Sequence, residues 1–236
     1  MRREIVGKSI IDLLFPRKCV VCGKELLLFE RHLCMDCIAE LPLTYFWKYR
    51  ENPAALCLTG RAKIENVYSL FYYSGEYKKI LHSLKYRSNV PLARHMGRML
   101  GEKIKKCGAV YDYIVPVPLH FIKKWKRGYN QSHIIAGGIK RGLGCGSVAA
   151  RIIKRTRFTG TQTKKEKIER WINVRGAFAL CNDSPHRIAR YSRLLEGKNI
   201  LLVDDVFTTG ATLDACCQLL NRFGCKITIA TLAYVE

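Results

Sequence analysis

The chain has 236 residues, of which 48% are hydrophobic and 25% are charged, and 41 lysines and arginines against 19 acidic residues give a net charge of +22. This composition excludes a disordered polycation and predicts a folded protein of one domain, or one domain with a small appendage. No apolar run approaches the about 18–20 residues of a membrane span and no signal peptide is recognisable, so we expect a cytoplasmic protein without membrane insertion. The charge predicts an anionic partner: nucleic acid, a phosphorylated metabolite or an anionic membrane surface.

Residues 1–60 are predicted to form an N-terminal module. Residues 5–15 carry apolar side chains at roughly helical spacing, and Pro16 ends this helix. Four cysteines with the spacing CxxC-x11-CxxC follow: Cys19, Cys22, Cys34 and Cys37. Two closely spaced thiolates can reach one ion from a tight turn, and four thiolates suit tetrahedral structural zinc. A redox dithiol and a chance pattern are the alternatives. The other seven cysteines are expected to be small buried apolar residues.

Residues 61–236 alternate between strand-like and helix-like patterns, which predicts a mostly parallel sheet covered by helices. The strand-like segments are residues 67–73, 111–117, 199–203 and 227–235. The helical segments are residues 76–86, 92–106, 131–141 and 211–223. In such an α/β fold the ligand binds at the carboxyl ends of the strands.

The positive charge is concentrated in residues 119–175, which hold 15 basic and 2 acidic side chains. Aromatic residues such as Phe121 and Trp125 stand among these bases, a combination typical of grooves for single-stranded nucleic acid. A solvated charged surface is the alternative interpretation. The candidate nucleic-acid contacts are Lys123, Lys124, Lys126, Arg127, Arg155, Arg157, Lys164 and Lys165.

Residues 200–212 hold the most informative pattern. An apolar strand ends in Asp204 and Asp205, and the turn TTGAT at residues 208–212 opens a helix. Threonine hydroxyls and backbone amides at a helix N-terminus bind phosphate, and paired carboxylates suit the vicinal hydroxyls of a ribose. The turn contains no lysine, so it is not a Walker-type nucleotide site. A capped helix after an ordinary turn is the alternative.

Residues 203–212 resemble the 5-phosphoribosyl-1-pyrophosphate (PRPP) motif of type I phosphoribosyltransferases. Further segments narrow the resemblance to the ComF family and together span almost the whole chain. They are LKY at 84–86, the D-x-IVPVPL segment at 112–119, RGYNQS at 127–132, the T-x-x-Q…R-x-x-N…F segment at 159–178, and the cysteine motif. The resemblance implies a type I phosphoribosyltransferase-like, mostly parallel sheet flanked by helices, with a small N-terminal four-cysteine zinc module.

The resemblance also implies roles for particular residues. Asp204 and Asp205 would hold the ribose hydroxyls, with magnesium bridging these hydroxyls and the diphosphate. The 5′-phosphate would be enclosed by Thr208, Thr209, Gly210, Ala211 and Thr212. Val117 and Pro118 would lie in the pyrophosphate loop, where Pro116 or Pro118 is a candidate for a cis peptide bond. Residues 121–175 would form a mobile basic cover, in which Arg127 and Arg170 stabilise the leaving pyrophosphate and complete a catalytic set with the two aspartates.

ComF proteins are associated with natural competence, the internalisation of transforming single-stranded DNA. The first hypothesis is therefore a cytosolic DNA-uptake factor that binds PRPP–Mg, or a related phosphorylated ribose or nucleotide, together with single-stranded DNA. Its partners would be the DNA-uptake or recombination machinery. The alternatives are an active phosphoribosyltransferase, similar to amidophosphoribosyltransferases, acting on an unidentified nucleophile, and a PRPP sensor without turnover.

Overall fold

The computed structural model describes residues 16–157, 174 and 176–236. The helices in this part of the chain are α1 (Met35–Ala39), α2 (Pro53–Cys57), α3 (Lys78–Tyr86), α4 (Val90–Lys105), α5 (Phe121–Arg127), α6 (Gln131–Leu143), α7 (Pro185–Leu195) and α8 (Ala211–Asn221). The strands are β1 (Asn66–Tyr72), β2 (Tyr113–Pro116), β3 (Ser147–Val148), β4 (Ile153–Arg155), β5 (Phe178–Leu180), β6 (Asn199–Phe207) and β7 (Lys226–Tyr234). Two short 3₁₀ helices lie at Phe46–Lys48 and Gly75–Tyr77.

Five parallel strands form the central sheet, in the order β1-β7-β6-β2-β3. Strands β6 and β7 pair from Asn199 opposite Lys226 to Phe207 opposite Tyr234. Most of their residues are buried, as expected for parallel strands with both faces covered. The predicted mostly parallel α/β sheet is therefore confirmed.

Helices α4 and α6 pack closely on one face of the sheet because glycines line their contact. A Cβ atom on Gly138 of α6 would lie 2.4 Å from the carbonyl oxygen of Arg94, and one on Gly97 of α4 would lie 2.4 Å from that of Ile135. Neither position leaves room for a side chain, so the two backbones touch directly. This contact holds the N-terminus of α6 beside the carboxyl end of β2.

The four-cysteine module packs on α3 and shares a hydrophobic core with it. Val21 and Leu33 of the module belong to the same buried cluster as Ile80 of α3. The Tyr77 hydroxyl donates to the carbonyl of Cys37 (3.3 Å), and Lys79 Nζ donates to that of Val21 (3.1 Å). The division of the chain at residue 60 stays a prediction.

Several elements differ from the sequence-based expectations. Strand β6 extends past residue 203 through both aspartates to Phe207, because β7 continues to pair with it, Asp204 opposite Thr231. Helix α5 was not predicted; it begins after His120 and ends at Arg127, and the next residue, Gly128, has a φ of 77° that suits glycine. Helix α7 and the short strands β3, β4 and β5 were also not predicted. In the described part of the chain, the expected mobile basic cover consists of α5, α6, β3 and β4.

The cysteines outside the CxxC pairs differ among themselves. Cys216, Cys217 and Cys225 are buried, as expected. The expectation is wrong for Cys57 and Cys107, which are exposed, and for Cys145 and Cys181, which are partly buried. The two exposed thiols lie near helix C-termini, where the chain runs along the surface. No helix among the described residues has the length and apolar character needed to cross a bilayer.

Candidate functional site

A cavity of about 200 Å³ lies at the carboxyl ends of β2 and β6. It collects residues that are far apart in the sequence, and both predicted aspartates are on its wall. The lining residues that the sequence predicts as site residues are Val117, Pro118, Lys123, Arg127, Arg155, Asp204, Asp205 and Thr212. The structure thus brings the predicted sugar, pyrophosphate and basic residues together in one place.

Asp204 is held from two sides. Its Oδ1 accepts hydrogen bonds from the Ser132 hydroxyl and from the Asp205 backbone N–H, each at 2.9 Å. Ser132 lies in the first turn of α6, which the glycine contact with α4 places beside β6. Burial and the neighbouring Asp205 charge raise the pKa of Asp204 to about 7, because they outweigh these two hydrogen bonds.

Asp205 forms an ion pair with Lys85, which comes from the last turn of α3. Lys85 Nζ lies 3.2 Å from Asp205 Oδ2, and the two side chains are 26% and 13% exposed. The negative charge of Asp205 raises the pKa of Lys85 despite burial. Lys85 belongs to the LKY segment, but sequence reasoning assigned it no role. In the sequence, Lys85 could be recognised only as a lysine that follows an apolar residue in a predicted helix. That pattern does not reveal that Lys85 contacts an aspartate of a distant strand.

The turn between β6 and α8 has the expected backbone. Gly210 has φ 76° and immediately precedes α8. This positive φ favours glycine, and a Cβ there would also lie 2.8 Å from Leu58 Cδ2, so that side chain would have to shift. Thr209 is buried and its Oγ1 accepts from the Ala211 N–H (3.4 Å), whereas Thr208 is exposed. Thr212 is the member of the predicted phosphate loop that lines the 200 Å³ cavity.

The loop after β2 is tied to α6 by Asn130. The Asn130 side chain donates to the Val117 carbonyl (3.0 Å) and accepts from the Ser132 N–H (3.2 Å), which caps α6. The peptide bonds before Pro116 and Pro118 are trans, since no cis peptide bond occurs among the described residues. The expectation of a cis bond in this loop is therefore wrong.

Helix α5 presents basic residues on two sides. Lys123 and Arg127 face the cavity, and the Arg127 guanidinium lies 5.9 Å from the centre of the Tyr86 ring. Burial lowers the pKa of Lys123, and the charges of Arg155 and Arg127 add to this effect. Lys124 and Lys126 point away from the cavity and are exposed, as is Arg157 beyond β4. Lys164, Lys165 and Arg170 lie outside the described residues.

The outer side of α5 is apolar as well as basic. Phe121 is 71% exposed and Trp125 is 85% exposed. Together with Ile122, Lys124 and Gly128 they line a shallow surface depression. Two large aromatic rings are therefore exposed to solvent on one short helix, next to basic side chains. We call this surface the α5 platform.

Gln131, which sequence reasoning did not single out, is also on the cavity wall. Its side chain is 2% exposed, and its Nε2 has no hydrogen-bond partner among the described residues. A buried amide nitrogen without an acceptor is costly, so a ligand oxygen would fit here. Together with the two carboxylates that line the same cavity, this amide suits a magnesium complex of a phosphorylated sugar.

The four cysteine thiols of the N-terminal module form one cluster. All four sulfur atoms lie within 4.8 Å of one another, and three of the residues are buried while Cys22 is exposed. Backbone N–H groups also point at sulfur, as from Cys34 to Cys19 Sγ (3.4 Å) and from Cys37 to Cys34 Sγ (3.5 Å). The donor set and its compactness fit structural zinc.

Comparison with known proteins gives two family matches. Residues 129–236 match the phosphoribosyl transferase domain, and residues 10–46 match the double zinc ribbon domain. The chain is 26% identical to competence protein F of Haemophilus influenzae over 229 residues, covering 89% of this chain and 93% of that one. It is 30% identical over 177 residues to the DNA utilization protein YhgH of Salmonella typhimurium, covering 73% of each. The chain belongs to the ComF family.

The ComF family assignment agrees with the observed architecture, a parallel α/β sheet of phosphoribosyltransferase type with a four-cysteine zinc ribbon. A hypoxanthine phosphoribosyltransferase from Staphylococcus aureus is among the similar solved structures, with a TM-score of 0.37, 17% identity, and coverage of 60% of this chain and 62% of that one. In this ComF-family chain, the zinc ribbon match and the cysteine cluster together support structural zinc.

Proposed function

We propose that this protein binds PRPP–Mg, or a related phosphorylated ribose or nucleotide, in the cavity at the carboxyl edge of the sheet. The observation that carries the proposal is the meeting of Asp204 and Asp205 with four cationic side chains around 200 Å³. Those side chains are Lys85, Lys123, Arg127 and Arg155. A ribose that carries phosphate groups needs both features, since its hydroxyls donate to carboxylates and its phosphates require positive charge.

Each part of the cavity has a role in this proposal. Asp204 and Asp205 accept from the ribose hydroxyls, while Thr212 and the N-terminus of α8 receive the 5′-phosphate. The cations on α5 and β4 face the diphosphate, together with the Gln131 amide. Asp204 and Asp205 would hold magnesium, which would neutralise part of the diphosphate charge.

Phosphoribosyl transfer is the second candidate, and the cations around the cavity favour it. In this reaction the bond from the ribose carbon to the diphosphate oxygen breaks, a nucleophile bonds to that carbon, and pyrophosphate leaves with the electron pair. Lys123, Arg127 and Arg155 are placed to stabilise the charge on the leaving group. The measurement is pyrophosphate release from PRPP–Mg in the presence of ammonia, amines or nucleobases.

We further propose that the α5 platform binds single-stranded DNA. Exposed Phe121 and Trp125 offer ring faces for stacking, and Lys124 and Lys126 offer charge to the backbone. The names of the relatives, competence protein F and DNA utilization protein YhgH, point to DNA uptake. The proposed role is therefore a cytoplasmic factor that handles incoming single strands with the DNA-uptake or recombination machinery. The thiolate zinc ligands are compatible with that reducing compartment.

A competition titration tests both ligands at once. Purified zinc-loaded protein is titrated by calorimetry with PRPP–Mg, and separately with a short oligothymidylate, each in the presence and absence of the other. The variant Asp205→Asn should lose PRPP–Mg binding by at least tenfold and keep oligonucleotide binding. Asp183→Asn is the matched control, because Asp183 is exposed and lies in the loop before α7. Undiminished PRPP–Mg binding by Asp205→Asn would refute the sugar-site proposal.

A further inference from the structure

Lys85 is the cation that contacts the acidic pair directly. Its ammonium group lies 3.2 Å from Asp205 Oδ2, and neither side chain is more than 26% exposed. The backbone around Lys85 is fixed, because the Tyr129 hydroxyl donates to the Leu84 carbonyl and the Ser88 hydroxyl donates to the Arg127 carbonyl. Only the four-carbon side chain is then free to change partner.

The groups around Lys85 are unequal in charge. Asp204 and Asp205 of β6 face it from the sheet, and Arg127 faces it from α5. Lys123 and Arg155 line the same cavity. Among the described residues that line the cavity there are thus two carboxylates and four cations, and the amide nitrogen of Gln131, another lining residue, has no acceptor there. A bare divalent cation entering this cavity would meet positive charge, whereas an anion would find donors.

The ion pair between Lys85 and Asp205 limits which ligands can reach the two carboxylates. Two adjacent aspartates would by themselves attract a divalent cation, because such ions prefer carboxylate oxygen ligands. Lys85 neutralises Asp205 at contact distance, so a cation arriving alone must displace the ammonium group without offering it another anion. A ligand with a diphosphate brings such an anion with it.

We propose that Lys85 is a positioning residue that occupies Asp205 until a ligand's phosphate groups enter the cavity, and that it then transfers its contact to those groups. The site therefore takes a divalent cation as a complex with a diphosphate and excludes the free cation. This inference rests on the proposed function, since it concerns the order in which that ligand's parts are accepted. The transfer breaks no covalent bond: one ion pair is exchanged for another.

The test measures cation binding without any turnover. Zinc-loaded full-length protein is titrated with Mn²⁺, followed by electron paramagnetic resonance, with and without inorganic pyrophosphate or PRPP. The variants are Lys85→Met, which keeps an unbranched side chain of nearly the same length and removes the charge, and Lys85→Arg, which keeps the charge. Lys78→Met is the matched control, because Lys78 lies on the same helix and is exposed. Asp205→Asn identifies any Mn²⁺ that binds elsewhere.

Two effects of opposite sign are expected for Lys85→Met. Free Mn²⁺ should bind at least tenfold more tightly than to the wild type, and Mn²⁺–PRPP at least tenfold more weakly, while Lys85→Arg and Lys78→Met stay within about threefold. A merely structural role would weaken both. If Lys85→Met leaves the affinity for free Mn²⁺ unchanged, or weakens it, the inference is overturned.

Different results would overturn the proposed function and the inference on Lys85. Wild-type protein that binds neither PRPP–Mg nor pyrophosphate would overturn the sugar-site proposal and the release step of Lys85 together. Wild-type protein that binds PRPP–Mg, with a Lys85→Met variant that behaves identically in both titrations, would overturn the inference on Lys85 alone.

Discussion

Asp204 illustrates how a single residue of the proposed sugar site can lower the stability of the folded chain. Its carboxyl is buried beside a second carboxyl, and these surroundings raise its pKa from 3.8 to about 7. Below the lower value the residue is neutral in both the folded and the unfolded state. Between the two values the unfolded chain ionises first, so stability is lost as the pH rises, and the loss is complete above about pH 7.

The variant Asp204→Asn should therefore be more stable than the wild type at pH 8. Its amide oxygen can still accept from Ser132, and it carries no charge to bury. The gain in free energy of unfolding should be on the order of 1 kcal/mol at pH 8 and should shrink at pH 5. Urea unfolding of both proteins at the two pH values measures it. Asp183→Asn removes a carboxylate at an exposed position and is the control. An equal gain from Asp204→Asn at both pH values would exclude the buried charge of Asp204 as the cause.

Among the elements, α6 is the one on which the site depends through packing. Its glycine contact with α4 positions its N-terminal end. There the Asn130 side chain donates to the Val117 carbonyl, and the Ser132 hydroxyl donates to Asp204. The helical pattern of residues 131–141 could be predicted from the sequence. The contact that positions the helix could not, because it depends on which glycines face another helix.

Two adjacent glycines of α6, Gly137 and Gly138, allow a test of this packing, because only Gly138 faces α4 closely. Gly138→Ala should destabilise the protein by about 1–3 kcal/mol, since its Cβ would lie 2.4 Å from the Arg94 carbonyl oxygen. Gly137→Ala, in the same helix, meets nothing within 4 Å and should be neutral or stabilising by up to about 1 kcal/mol. Thermal unfolding of the two variants measures the difference. Equal effects would contradict the close packing of α4 against α6.

At the scale of the molecule, α3, α5 and β4 bring cationic side chains to the acidic pair at the carboxyl edge of the sheet. The zinc ribbon packs on α3, and the last turn of α3 carries Lys85 into the cavity. Helix α5 lies between the cavity and the solvent. One side of the helix lines the cavity, and the other side forms the α5 platform. The basic residues of α5 are thus divided between the cavity, which Lys123 and Arg127 line, and the exposed outer side, where Lys124 lies.

Added salt should weaken DNA binding at the α5 platform. Oligothymidylate binding to the α5 platform should weaken with added salt at a log–log slope of about −0.7 for each phosphate contacted. Trp125→Ala should reduce the affinity several-fold and leave the slope unchanged, because stacking carries no charge. Phe29→Ala is the control, since Phe29 is 72% exposed in the zinc ribbon. Fluorescence anisotropy provides the measurement, and a salt-independent affinity would exclude the proposed DNA contact.

The sequence by itself determined the features that depend on neighbours along the chain. These are the four-cysteine motif, the alternation of strands and helices, and the acidic pair followed by a glycine that its turn requires. Only the tertiary structure decided that Lys85 and Ser132 meet the aspartates, that α5 separates a cavity from an aromatic surface, and that Cys57 and Cys107 are exposed. The physical reason is that spacing along the chain specifies contacts within a turn or an element. Contacts between elements depend on how helices pack across the sheet.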